Sequence, residues 1–145
     1  MIDPECVLPP EDISNAAIAA RLTDEARRRI ATGEVQKKRL VWLELTGCSG
    51  NIISLMDGFH PDLEYMLTSM VDLVYSNSLM VAEGEQAMER LMSLEGEFIL
   101  AVEGAVALRE NGLYHVIGRW QGEPVTALAA ATMLGNKATH VIAVG

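Results

Sequence analysis

The chain has 145 residues, of which 50% are hydrophobic and 21% charged, with 20 acidic residues against 11 basic ones for a net charge of −9. That content excludes a disordered chain, which could not bury enough apolar surface to offset its conformational entropy, and it suits one domain with a single core. The basic residues cluster only at Arg27–Arg29 and Lys37–Arg39, so no nucleic-acid surface is expected.

Taken in chain order, Met1–Pro10 carries three prolines and reads as an irregular arm. Glu11–Gly33 has helical spacing, with Ile13, Ala16, Ala17, Ala20 and Ile30 near one face, acid at its start and Arg27–Arg29 at its end, both favourable to the helix dipole. Leu40–Leu45 is a short apolar run of the kind expected for a strand covered on both faces. Thr46–Gly50 follows as a tight turn, and helices are predicted over Asn51–Asp57 and Asp62–Ser69. Val71–Ser76 reads as a strand, Glu83–Leu94 as a helix with Ala87, Leu91 and Leu94 inward, and Glu97–Val102 as a third strand. Tyr114–Trp120 reads as a small edge excursion, Pro124–Leu134 as an Ala-rich helix with proline in its first turn, and His140–Val144 as a fourth strand. Strands alternating with helices predict an α/β fold, a doubly wound parallel sheet with helices on both faces and an N-terminal helical extension. The implied division is an arm and helix over 1–38 and the sheet domain over 39–145, the latter expected to be cut short at its C-terminal end.

Ligands of such sheets sit beyond the carboxyl ends of the strands, which makes Thr46–Asn51 the first place to look for chemistry. Cys48 lies in that strand-to-helix turn, where free helix N–H groups stabilise a thiolate that can ligate iron or act as a nucleophile; a small buried hydrophobe is the equally frequent alternative. Gly47 and Gly50 match neither phosphate-loop pattern, and a structural zinc site would need paired cysteines. Glu103, directly after an apolar strand, offers a carboxylate for proton transfer or a cap. Glu44, an acid inside an apolar strand, must be paired, near a terminus or at an interface. The isolated His115 and His140 carry no assignment. Only Cys6 and Cys48 are present, no apolar run reaches membrane-spanning length, and no basic-then-apolar leader opens the chain, so the expectation is a soluble, cytoplasmic protein without a disulfide framework.

Val41–Gly50, Tyr75–Met80 with Gly84–Ala87, Phe98–Ala105 and Val141–Gly145, read together, resemble the small subunit of [NiFe] hydrogenases, which is related to the 20-kDa iron–sulfur subunit of respiratory complex I. The resemblance covers about Arg39 to Gly145 and leaves residues 1–38 outside it. It implies a flavodoxin-like domain that holds a proximal [4Fe–4S] cluster and passes electrons to or from a nickel–iron site in a separate large subunit. Hydrogenase activity would then belong to the full complex and not to the isolated chain. Cys48 matches a cluster ligand, the second cysteine of a C-x-x-C pair, and Glu103 falls in an E-G motif beside the cluster. Two departures stand out: Leu45 occupies the position of the pair's first cysteine, and Gly50 that of an acid just after the pair. A third ligand is expected just after Gly145. A cluster-less, flavodoxin-like protein-interaction module and a thiol enzyme using Cys48 are the alternatives these departures leave open.

Overall fold

The computed structural model describes residues 14–145. The arm expected over Met1–Pro10 and the acidic first turn at Glu11–Asp12 lie outside the described residues. Helix α1 (Asn15–Ala31) begins at Ser14, whose Oγ accepts from the N–H of Ala17 at 3.2 Å, and it ends before Gly33, where φ is +76°. Thr23 is the one buried residue of α1. The helix is tied to the domain by Arg27, which stacks over the Tyr65 ring at 4.7 Å and pairs with Asp62 at 3.6 Å.

Strand β1 (Lys38–Glu44) lies inside a four-stranded sheet with β2 (Val71–Ser76), β3 (Ile99–Glu103) and β6 (His140–Val144), in the order β2-β1-β3-β6 and with every pair parallel. This is the doubly wound α/β arrangement expected. The strand's residues alternate between two cores because successive side chains point to opposite faces. Val41 and Leu43 pack with Leu100 against helices α4 (Gly84–Met92) and α5 (Ala127–Lys137), which contribute Ala87, Met88, Leu91, Ala130 and Leu134. Leu40 and Trp42 face the other way, with Ala101, onto Ile52 of the seven-residue helix α2 (Gly50–Met56). Leu94, predicted to face inward, is buried beyond the end of α4. The helix predicted over Asp62–Ser69 is present in altered form: a short α3 (Leu63–Tyr65), capped by Asp62, widens into a π-turn over Met66–Met70 before β2.

Two expectations are corrected. Tyr114–Trp120 is no edge excursion of the main sheet. Strand β4 (Val116–Trp120) pairs antiparallel with β5 (Glu123–Thr126) as a separate two-stranded sheet. Pro124 accordingly lies in β5 rather than in the first turn of a helix, and α5 starts at Ala127 with Thr126 as its cap. The reason is local: Gln121 and Gly122 both have positive φ and close a two-residue hairpin, and proline, lacking an N–H, is tolerated in so short an edge ribbon. The hairpin docks on α4, with Gly118 against Met88 and the Trp120 indole donating to Glu89.

Leu43 is fully buried whereas Leu22 on α1 is exposed. Leu43→Ala should lower the unfolding free energy by about 2–5 kcal/mol, and Leu22→Ala should change it by no more than about 0.5 kcal/mol. Urea titration of both variants checks the contrast, and equal effects would refute this assignment of the core.

Candidate functional site

The carboxyl ends of β1 and β3 carry one glutamate each, Glu44 and Glu103, and these are direct register partners. Both are buried. A buried carboxylate is costly unless donors surround it, so each must organise its neighbourhood. Glu44 gathers the polar triple that ends β2: Ser76 Oγ donates to its Oε1 at 3.1 Å, the Ser78 N–H to the same oxygen at 2.9 Å, and Ser78 Oγ to Oε2. The Glu44 N–H in turn donates to Asn77 Oδ1 at 3.2 Å. Tyr75 stands beside this cradle, and its phenol is held above its ordinary value by burial first and by the Glu44 charge second.

Glu103 joins different elements. Its Oε2 accepts from the Trp42 indole N–H at 3.0 Å, and its Oε1 accepts from the backbone N–H of Asn51, in the first turn of α2, at 3.2 Å. Just beyond, Thr46 and Ala105 form an isolated antiparallel bridge, reinforced by Thr46 Oγ1 donating to the Ala105 carbonyl at 2.8 Å. Gly104 makes that approach possible. Its φ is +88°, and a Cβ there would stand 2.2 Å from the Thr46 carbonyl oxygen.

Cys48 projects from the turn these contacts frame, and it is exposed. Ser49 is left-handed at φ +57° and caps nothing with its side chain, and a Cβ at Gly50 would come within 3.0 Å of the Cys48 sulfur. The structure thus brings Cys48, Glu103 and Glu44 to one edge of the sheet. Leu45 does not join them, because its side chain packs against the α4/α5 core. The position that completes a C-x-x-C spacing on the other side of Cys48 is Asn51, whose N–H is held by Glu103. Among the described residues no group of three or more His, Cys, Asp or Glu converges as a metal site. With one thiol, and with four carboxylate oxygens already accepting from Ser76, Ser78, Trp42 and Asn51, these residues do not fit a four-thiolate iron–sulfur cluster.

Sequence reading placed Thr46 at this edge, and Asn77 and Ser78 at the carboxyl end of a neighbouring strand, but gave none of them a partner and missed Ser76 and Trp42. A signal existed for Ser76, Asn77 and Ser78. An acid inside an apolar strand requires donors, and Ser76-Asn77-Ser78 is a donor-rich triple at a strand end.

A family model described as the 20 kDa subunit of NADH ubiquinone oxidoreductase matches residues 48–145. The small subunit of a periplasmic [NiFeSe] hydrogenase from Desulfomicrobium baculatum is 28% identical over 123 residues, which is 79% of this chain and 39% of the relative. The hydrogenase-2 small chain of Escherichia coli K12 is 29% identical over 138 residues, 90% of this chain and 36% of that one. In solved structures, a chain of the recombinant [NiFeSe] hydrogenase from Desulfovibrio vulgaris Hildenborough aligns with a TM-score of 0.71 at 29% identity, over 77% of this chain and 41% of that one. The chain therefore spans about two fifths of the length of the relatives it matches. The periplasmic relative overturns the expectation of a cytoplasmic protein. That expectation rested on a missing leader, and a leader is removed from the mature protein, so a folded domain bears no imprint of it. No described helix is long and apolar enough to cross a membrane.

Gly104 and Gly33 both have positive φ, yet only Gly104 faces a backbone oxygen. Gly33→Ala should cost about 1–3 kcal/mol for its conformation, and Gly104→Ala distinctly more; thermal melts that rank them the other way would refute the clamp. Because the Tyr75 phenol titrates higher when folded than its ordinary 10.0, its contribution is intact below that pH and is lost as pH rises through the folded value. Urea unfolding between pH 9 and about 11 should show stability falling, with a shallower fall in Tyr75→Phe.

Proposed function

Because the chain belongs to the 20 kDa subunit family of NADH ubiquinone oxidoreductase, we propose that it is the flavodoxin-like, electron-transferring domain of a hydrogenase small subunit. In this reading residues 39–145 are the working domain and residues 1–38 an appended arm and helix. The observation that carries it is the edge built around Cys48. An exposed thiol stands on a turn that follows β1 and is tied to β3 and its exit, at the end of a doubly wound sheet where such folds receive ligands and partners. In this reading a [4Fe–4S] cluster belongs to the full-length protein: the described residues do not complete one, Cys48 is the one thiol among them to offer it, and Glu103 is the acid at the same edge.

The partner is a large subunit bearing the nickel–iron site. Support comes from the loops that leave this edge, on which Val81, Leu108, Leu113 and Tyr114 are exposed. Exposed apolar residues grouped around a working edge fit an obligate protein interface. The isolated chain should turn over no hydrogen, since its two cysteines cannot supply the thiolates of a nickel site.

A second reading, a cluster-less interaction module, is favoured by one observation: Leu45 is in the core and Asn51 stands where the turn could have offered another thiol. One experiment separates the two. The protein is purified anaerobically from its native cell, and nickel, iron and acid-labile sulfide are measured in the material that co-purifies. Iron and sulfide on this polypeptide, with a nickel-bearing partner, is the expected result. A stable partner complex without iron or sulfide would replace the electron-transfer reading with the interaction module.

A further inference from the structure

Helix α2 carries Cys48 on its leading turn, yet nothing local caps it. Ser49, the residue at its start, is left-handed and its side chain makes no capping bond. The cap comes from β3, more than fifty residues away in sequence: Glu103 Oε1 accepts from the N–H of Asn51. The same carboxylate is fixed at its other oxygen by the buried Trp42 indole. Trp42 is itself in β1, two residues before Glu44, so one side chain joins β1, β3 and the Cys48 turn.

We propose that Glu103 is a positioning residue for Cys48, acting as a long-range cap of α2 whose second oxygen is anchored by Trp42. The chemistry requires a carboxylate in particular. Two N–H donors converge on it from opposite sides, and an ionised carboxylate presents two acceptors with no donor of its own. A glutamine presents one acceptor, so it must abandon either Asn51 or Trp42. The position after Glu103 supports this role, because Gly104 lets the β3 exit close on Thr46, which leads into the same turn. The proposal stands on this geometry alone and is independent of the hydrogenase reading.

The test uses the intact protein with Cys6→Ser, so that Cys48 is the only thiol. Exchange of the Asn51 amide and the Trp42 indole is followed together with the rate of Cys48 alkylation at one fixed pH. Glu103→Ala should speed Asn51 exchange about tenfold or more, the scale of losing a hydrogen bond to a charged group. Cys48 alkylation should rise with it, while Val41 and Leu100 amides in the sheet keep their protection. Glu103→Gln alone should be impaired. Adding Trp42→Phe removes the competing donor, so Trp42→Phe/Glu103→Gln should recover Asn51 protection relative to Glu103→Gln. This rescue is the result a merely structural glutamate would not produce, and it remains readable if Glu103→Ala does not fold. Exchange unchanged at both the Asn51 amide and the Trp42 indole in Glu103→Gln, or an exposed Asn51 amide that the double variant does not re-protect, would overturn the proposal.

Discussion

The working edge of this molecule is organised by two carboxylates that cannot be left alone. Glu44 and Glu103 sit opposite one another on adjacent parallel strands, buried where the strands run out. Burial of a charged group is tolerated only with a full set of donors. Each glutamate therefore draws in whatever loop can supply them. Glu44 draws in the exit of β2 and Glu103 the start of α2, and the positions of those loops follow from this need.

The two faces of the sheet are unequal partners in this arrangement. One is covered by α4 and α5, with the β4–β5 hairpin closing over α4 through Met88 and Trp120. The other is covered at its middle by α2, whose main contribution is Ile52. A seven-residue helix is too short to be stable on its own propensity. It holds its place through Ile52 in the core and through the carboxylate at its start. The turn that displays Cys48 thus rests on the lightly covered side, and its position depends on tertiary contacts more than on local sequence.

That distinction decides what could be read without coordinates. The apolar run at Leu40–Leu45 and the alternation of strands with helices were enough for the parallel sheet and its order of elements, because burial on both faces leaves a periodic signature. Val71–Ser76 and His140–Val144 match their predicted bounds. The hairpin was not legible as such. Pro124 has two meanings, helix start or edge strand, and only the positive φ values at Gln121 and Gly122 choose between them. At the site, Cys48 and Glu103 were identifiable from their place at strand ends. The link between them was not, since it joins residues 51, 42 and 103 through side-chain geometry that no spacing rule encodes. Leu45 illustrates the same limit: its side chain's alternation into the core becomes plain only once the strand's faces are assigned.

Among the described residues, the edge is cross-linked by the chain's own groups. Glu44 with Ser76 and Ser78, Glu103 with Trp42 and Asn51, and Thr46 with Ala105 tie the exits of β1, β2 and β3 to one another. In small metal-dependent domains the ion supplies the folding energy, and its ligands are the only cross-links at the site. Here the cross-links are hydrogen bonds between the chain's own groups, and the core behind them has helices on both faces of the sheet. The fold of this edge and its chemistry are consequently separable. Substitutions that change the donor set at positions such as 45 and 51 leave the three clamps untouched. A family can therefore retain this edge as a frame while the thiols presented on it vary, because the bond from the Cys48 turn to Glu103 is made by the backbone N–H of residue 51 and not by its side chain.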